Sequence, residues 1–161
     1  MQSADCRDYL QLAGDVLEIA MPAGALGVSA YKKDLKGIIQ LAEAFATTIL
    51  VTDGLKYTVR EKRPNGGALS FPSGHASAAF CAASYLDIRY GDPWSFPAYA
   101  LAAFTGWSRI ESNNHYAWDV AAGAIIGVAS NLIFTRRHIS NVKLVPVYEN
   151  GRLGAVAVCR F

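Results

Sequence analysis

A chain of 161 residues with 52% hydrophobic and 17% charged residues fits a single domain. The net charge of +2 is too small to argue for a nucleic-acid partner. A mean hydropathy of +0.19 is greasier than an average soluble protein, yet mild for a chain built wholly of membrane spans. The three histidines, His75, His115 and His138, form no helical HxxxH pair and the cysteines no CxxC, so the sequence gives no reason to expect a metal or another cofactor.

The chain opens Met1-Gln2-Ser3-Ala4-Asp5 without a basic-then-apolar leader, so no signal peptide is expected in it as given; one explanation is a leader already removed. A first helix is predicted over about 9–31, with a possible break at Pro22. A second is predicted over about 35–62. Asp15, Glu18 and Glu43 lie well inside their apolar stretches, which is costly in lipid unless they face the bundle interior. The second helix ends on Lys56-Tyr57-Thr58-Val59-Arg60-Glu61-Lys62-Arg63-Pro64. Lys56 and Arg63 are seven apart, two helical turns, so both leave one face, and Pro64 puts the guanidinium at a helix end. An ammonium and a guanidinium on one stripe suit a phosphoryl group. Taken alone, with Arg60 and Lys62 alongside, the block reads better as a solvated basic face.

A Gly/Pro/Asn/Ser loop leads to Pro72-Ser73-Gly74-His75 and a third helix over about 76–90. Ser73 is a candidate N-cap, and Gly74 lets backbone N–H groups approach an anion at the helix N-terminus. His75, in the first turn, is placed to donate a proton to a leaving oxygen; the bland alternative is an ordinary cap with a surface histidine. Cys81 reads as a small core residue. Gly91-Asp92-Pro93 turns the chain into a fourth helix, about 94–107, followed by Ser108-Arg109 and a polar loop. The fifth helix is predicted over about 116–136. His115 and Asp119, four apart, would stack on one helical face, where a carboxylate on one imidazole nitrogen frees the other for attack on phosphorus. A surface pair of this kind is worth only a few tenths of a kcal/mol.

The last twenty residues change period. Two β-branched and aromatic runs, 142–148 and 153–161, flank Glu149-Asn150-Gly151-Arg152, which predicts a C-terminal β-hairpin. One hairpin cannot close a barrel; it offers an edge for packing or for pairing between chains in a homo-oligomer. Cys6 and Cys159, near the termini, leave a disulfide open in an oxidising compartment.

Taken together, Lys-x6-Arg-Pro, Pro-Ser-Gly-His and Ser-Arg-x5-His-x3-Asp resemble the type 2 phosphatidic acid phosphatase family, which includes bacterial acid phosphatases and vanadate-dependent haloperoxidases; every motif element from Lys56 to Asp119 matches. The resemblance implies that Lys56, Arg63 and Arg109 bind the phosphate oxygens and that Ser73 and the Gly74 amide complete the cradle. It also implies that His115 is the nucleophile, oriented by Asp119, and that His75 protonates the leaving alcohol and then activates water. The expected fold is an all-α up-down bundle of about five helices over 9–137, one phosphatase domain with the hairpin at 142–161 and the active site at one end. The expected substrate is a phosphate monoester or pyrophosphate, with lipid as the first reading, a soluble periplasmic acid phosphatase as the second, and a haloperoxidase or a non-catalytic phosphate-binding scaffold behind them.

Evidence for a membrane points both ways. The charge-free runs 93–108 and 120–135 fall short of the ~20 residues a span needs. Against that, Trp94, Phe96, Tyr99, Trp107, Tyr116 and Trp118 cluster toward helix ends, and Lys32, Lys33, Lys36, Arg89, Arg136 and Arg137 fall opposite the motifs. Spanning helices with that asymmetry would place the site on the periplasmic side of an inner membrane.

Overall fold

The computed structural model describes residues 2–138, 142–149 and 152–159. Five helices follow in order: α1 (Gln2–Tyr31), α2 (Leu35–Val59), α3 (Gly74–Tyr90), α4 (Ser95–Glu111) and α5 (Ala117–Phe134). The fold is an all-helical bundle. Beyond it, Val142–Glu149 and Arg152–Cys159 run antiparallel, with Glu149 opposite Arg152. The Asn150-Gly151 turn expected between them lies outside the described residues, as do the side chains of Cys6 and Cys159 and any disulfide between them.

Helix ends depart from expectation where local chemistry decides them. Pro22 sits inside α1 without interrupting it; a lone proline removes one N–H and leaves only the Glu18 carbonyl without its helical partner. The Asp34 carboxylate accepts the Gly37 N–H at 3.0 Å and starts α2. That helix stops at Val59 because Arg60 takes a left-handed conformation, φ 53°, and returns its N–H to the Lys56 carbonyl. Arg63 therefore lies beyond the helix, and the predicted shared stripe with Lys56 does not form. α4 runs on through Arg109 to Glu111, and His115 precedes α5 rather than standing on it.

α3 is the centre of the bundle and packs against all four other helices. Its alanines make this possible: Ala76, Ala78, Ala79, Ala82 and Ala83 are buried nearly all round the helix. Contact with α5 is closest. A Cβ at Gly123 would stand 2.5 Å from the Ser73 carbonyl oxygen, and one at Gly127 2.5 Å from that of Ser77, so only glycine lets the two backbones approach.

The size ordering is inverted relative to a water-soluble bundle. Small residues fill the interior, while large aliphatics face outward, with Ile19 and Leu50 both 73% exposed and Ile125 68%. Among the described residues three helices, 7–31, 35–59 and 117–134, are long and apolar enough to cross a membrane. Counting charge-free runs made α5 too short because the count stopped at Asp119, which turns inward to Ser70; α4, the other run counted, is not among the three. Glu43, by contrast, is exposed on α2. At the far end Arg89 is buried in a two-pronged pair with Asp34, at 2.6 and 2.7 Å.

Candidate active site

Residues of all five helices meet at one end of the bundle. Ser73 caps α3: its hydroxyl accepts the Ala76 N–H at 3.4 Å, and its own N–H donates to the Asp119 carbonyl at 3.0 Å, tying the cap to α5. The amides of Gly74 and His75 follow in the first turn, where no intrahelical acceptor exists. Lys56 reaches across from α2 and donates to the carbonyls of Pro72 at 2.6 Å and Leu69 at 3.2 Å. Leu69 holds a left-handed φ of 59°, which turns its carbonyl to that ammonium. Arg63 donates from Nε to the Ala68 carbonyl at 3.1 Å. Among the described residues neither Lys56 nor Arg63 forms an ion pair, so two cations stand beside a helix N-terminus with only main-chain partners. That arrangement attracts an anion.

His115 is buried between this cradle and α5. Its Nδ1 lies 3.4 Å from Asp119 Oδ2, longer than an ordinary hydrogen bond, and 3.5 Å from the Ser70 hydroxyl. The Asp119 Oδ2 atom also accepts from Ser70 Oγ at 2.5 Å and from the Tyr116 N–H at 2.9 Å, while Oδ1 is buried without a partner among the described residues. Burial lowers the His115 pKa to about 4; the positive charges of Arg63 and Lys56 push the same way, and Asp119 opposes them. The imidazole is therefore neutral at neutral pH. With Nδ1 facing Ser70 and Asp119, Nε2 keeps a lone pair for attack.

The third group is organised by α1. Arg109 is buried; its Nη1 donates to Asp15 Oδ1 at 2.7 Å and its Nη2 to the Gln11 carbonyl, and Gly14 lies against the guanidinium. The same Asp15 oxygen is 2.9 Å from His75 Nε2, and Glu18 Oε2 is 3.0 Å from it on the other side. Asn114 links Gln11 to Asn65. Sequence reasoning named Lys56, Arg63, Ser73, Gly74, His75, Arg109, His115 and Asp119 as the site. It missed Ser70, which no spacing marks. It noticed Asp15 and Glu18 only as carboxylates in apolar stretches, and that anomaly was the available signal. Among the described residues no three His, Cys, Asp or Glu side chains are grouped to hold a metal ion.

A family model described as the PAP2 superfamily matches residues 37–143. A lipid A 4'-phosphatase of Helicobacter pylori is 32% identical over 141 residues, covering 80% of this chain and 71% of that protein. A lipid A 1-phosphatase of Porphyromonas gingivalis is 41% identical over 106 residues, which cover 58% of this chain and 24% of that protein. This chain thus spans about a quarter of the latter relative. In solved structures, LpxE of Aquifex aeolicus aligns with a TM-score of 0.60 at 20% identity, over 78% of this chain and 92% of that one, a likeness of fold. The three motif blocks from Lys56 to Asp119 all fall within the matched segment, and on that match the chain belongs to the PAP2 superfamily, the type 2 phosphatidic acid phosphatases.

Proposed function

We propose that this protein hydrolyses a phosphate monoester of a lipid, with lipid A the first candidate, through a phosphohistidine at His115. The observation that carries the reading is a buried, neutral imidazole whose Nδ1 faces a carboxylate, set beside two cations that form no ion pair among the described residues. In the first step His115 Nε2 attacks phosphorus as the bond to the leaving oxygen breaks. His75 gives that oxygen its proton, so a neutral alcohol departs. Lys56, Arg63 and Arg109 hold the phosphoryl oxygens with the Ser73 hydroxyl and the Gly74 amide. Asp119 orients the imidazole and stabilises the cation that forms. In the second step His75 takes a proton from water, whose oxygen attacks phosphorus as the P–Nε2 bond breaks, releasing phosphate and restoring the neutral His115 imidazole.

Two features support a lipid. The outer face of the bundle is aliphatic. A cavity of about 430 Å³ opens between α1 and α2 beside Gly74, walled by Ile19, Pro22, Phe45 and Ile49. The relatives named for lipid A direct the choice among lipids. The location we infer is the inner membrane, with the site on the periplasmic side and Lys32, Lys33 and Lys36 at the cytoplasmic end. The pairing of Val142–Glu149 with Arg152–Cys159 reads as a C-terminal hairpin in the same single domain. The test is phosphate release from lipid A, phosphatidate and water-soluble phosphate esters by the purified protein. Release from the lipids at rates well above the soluble esters is expected. Turnover of soluble esters alone contradicts the lipid assignment.

A further inference from the structure

The two sides of the site differ in charge. On one side Lys56 and Arg63 touch main-chain carbonyls and form no ion pair among the described residues. On the other, Asp15 Oδ1 and Glu18 Oε2 both lie against His75 Nε2, at 2.9 and 3.0 Å. A leaving oxygen that takes its proton from Nε2 must come within ~3 Å of that atom, into the space these oxygens border. Glu18 also lines the apolar cavity between α1 and α2, together with Gly74. Its Oε1 is 4.0 Å from where a Gly74 Cβ would stand. The portion of a substrate lying between the scissile phosphorus and that cavity therefore passes Glu18.

We propose that Asp15 and Glu18 are specificity-determining residues of a leaving-group subsite. They favour phosphate monoesters whose alcohol carries hydrogen-bond donors, as a sugar does, and they exclude pyrophosphates. The inference rests on the phosphatase reading above and sharpens it. With a monoester, the P–O bond breaks, the Nε2 proton moves to the leaving oxygen, and an uncharged alcohol remains against the carboxylates, to which its hydroxyl or amide groups donate. With a pyrophosphate, the leaving group is itself a phosphate that stays anionic from binding to departure. Like charges within a few ångströms in a partly desolvated cleft repel throughout. Asp15 has a second duty, holding Arg109, so its loss acts on every substrate; Glu18 has no contact with Arg109 among the described residues, which makes it the cleaner probe.

The test compares kcat/KM for lipid A with kcat/KM for a polyprenyl pyrophosphate in the detergent-solubilised full chain, for wild type, Glu18→Gln, Glu18→Asp and Asp15→Asn/Glu18→Gln. The ratio does not depend on what fraction of a variant is folded. Wild type is expected to favour the monoester. Glu18→Gln and the double variant are expected to raise the pyrophosphate-to-monoester ratio by about tenfold or more, and the charge-preserving Glu18→Asp to keep the wild-type ratio. An unchanged ratio in both neutral variants, or a wild-type preference for pyrophosphate, overturns the subsite. If wild type releases phosphate from neither lipid, the subsite falls with the lipid assignment, and release from no soluble ester either removes the phosphatase reading itself.

Discussion

At the scale of single residues, the chemistry turns on how His115 is kept neutral. Burial, with Arg63 and Lys56 nearby, holds its pKa near 4, well below an ordinary histidine. Protonation removes the nucleophilic lone pair, so kcat/KM with nitrophenyl phosphate is expected to fall as pH drops through about 4 rather than 6.5. An acid limb near 6.5 would show that His115 titrates as a free imidazole. Ser70 contacts both Asp119 and His115, and Ser70→Ala is expected to lower kcat roughly tenfold with KM little changed. Gly74→Ala separates stability from activity. The nearest side-chain atoms stand 3.9 Å from its added Cβ, so melting should barely move, while phosphate turnover falls because the methyl intrudes on the anion's approach. The eight residues of the motif blocks were marked by their joint match to the family pattern and not by helical spacing, since Lys56 and Arg63 share no stripe and His115 lies before α5. Ser70 was not, because it reaches Asp119 only through the folding of an aperiodic loop. Asp15 and Glu18 were half legible: carboxylates inside an apolar stretch signal a purpose, but only tertiary contact shows which groups they meet.

At the scale of elements, all five helices were readable from hydrophobic runs and their Gly/Pro punctuation, and the ends at Tyr31, Leu35 and Tyr90 fall where expected, but the C-termini of α2 and α4 do not. Arg60 ends α2 in a left-handed conformation that a non-glycine residue does not advertise, and this detaches Arg63 from the helix. α4 continues through Arg109 because the turn residues Ser112, Asn113 and Asn114 come later than the motif itself. The α3–α5 contact depends on two glycines whose role appears only with the partner helix in place. Gly127→Ala drives a methyl into the Ser77 and Cys81 backbone and is expected to destabilise the bundle by about 1–3 kcal/mol. Gly24→Ala, with nothing within 4 Å, should be neutral or slightly stabilising. Denaturation of both variants in the same detergent checks the contrast, and equal stabilities would show that close approach is not what holds α3 to α5.

At the scale of the molecule, opposite ends of the bundle do different work. Away from the site, Asp34 binds Arg89 and Tyr90, and His138 stands 3.2 Å from it. Burial pushes the Asp34 carboxyl up, but the hydrogen bonds from Arg89, Gly37 and Tyr90 outweigh it and hold the group well below the usual carboxylate range. This contribution to stability is present above the unfolded carboxylate pKa and is lost as pH falls below about 4. Because both partners are buried, Asp34→Ala is expected to cost about 3–5 kcal/mol, read as a lowered melting midpoint with the site's chemistry untouched at permissive temperature. Arg89 falls at the end opposite the motifs, as its position in the sequence implies, but charge alone does not reveal a partner fifty-five residues away. The aliphatic exterior predicts that the protein stays with membranes through an alkaline carbonate wash; a clean soluble protein without detergent would contradict the bilayer placement.

Phosphoryl trapping reaches the central claim most directly. Incubating His75→Ala with radiolabelled nitrophenyl phosphate, whose leaving group departs without a proton, quenching in base to preserve phosphohistidine, and mapping the label by mass spectrometry should place one phosphoryl group on His115, and none in His115→Ala, which should also lose turnover while keeping its helical content. Sustained turnover by His115→Ala, or label on any other side chain, would contradict the covalent mechanism.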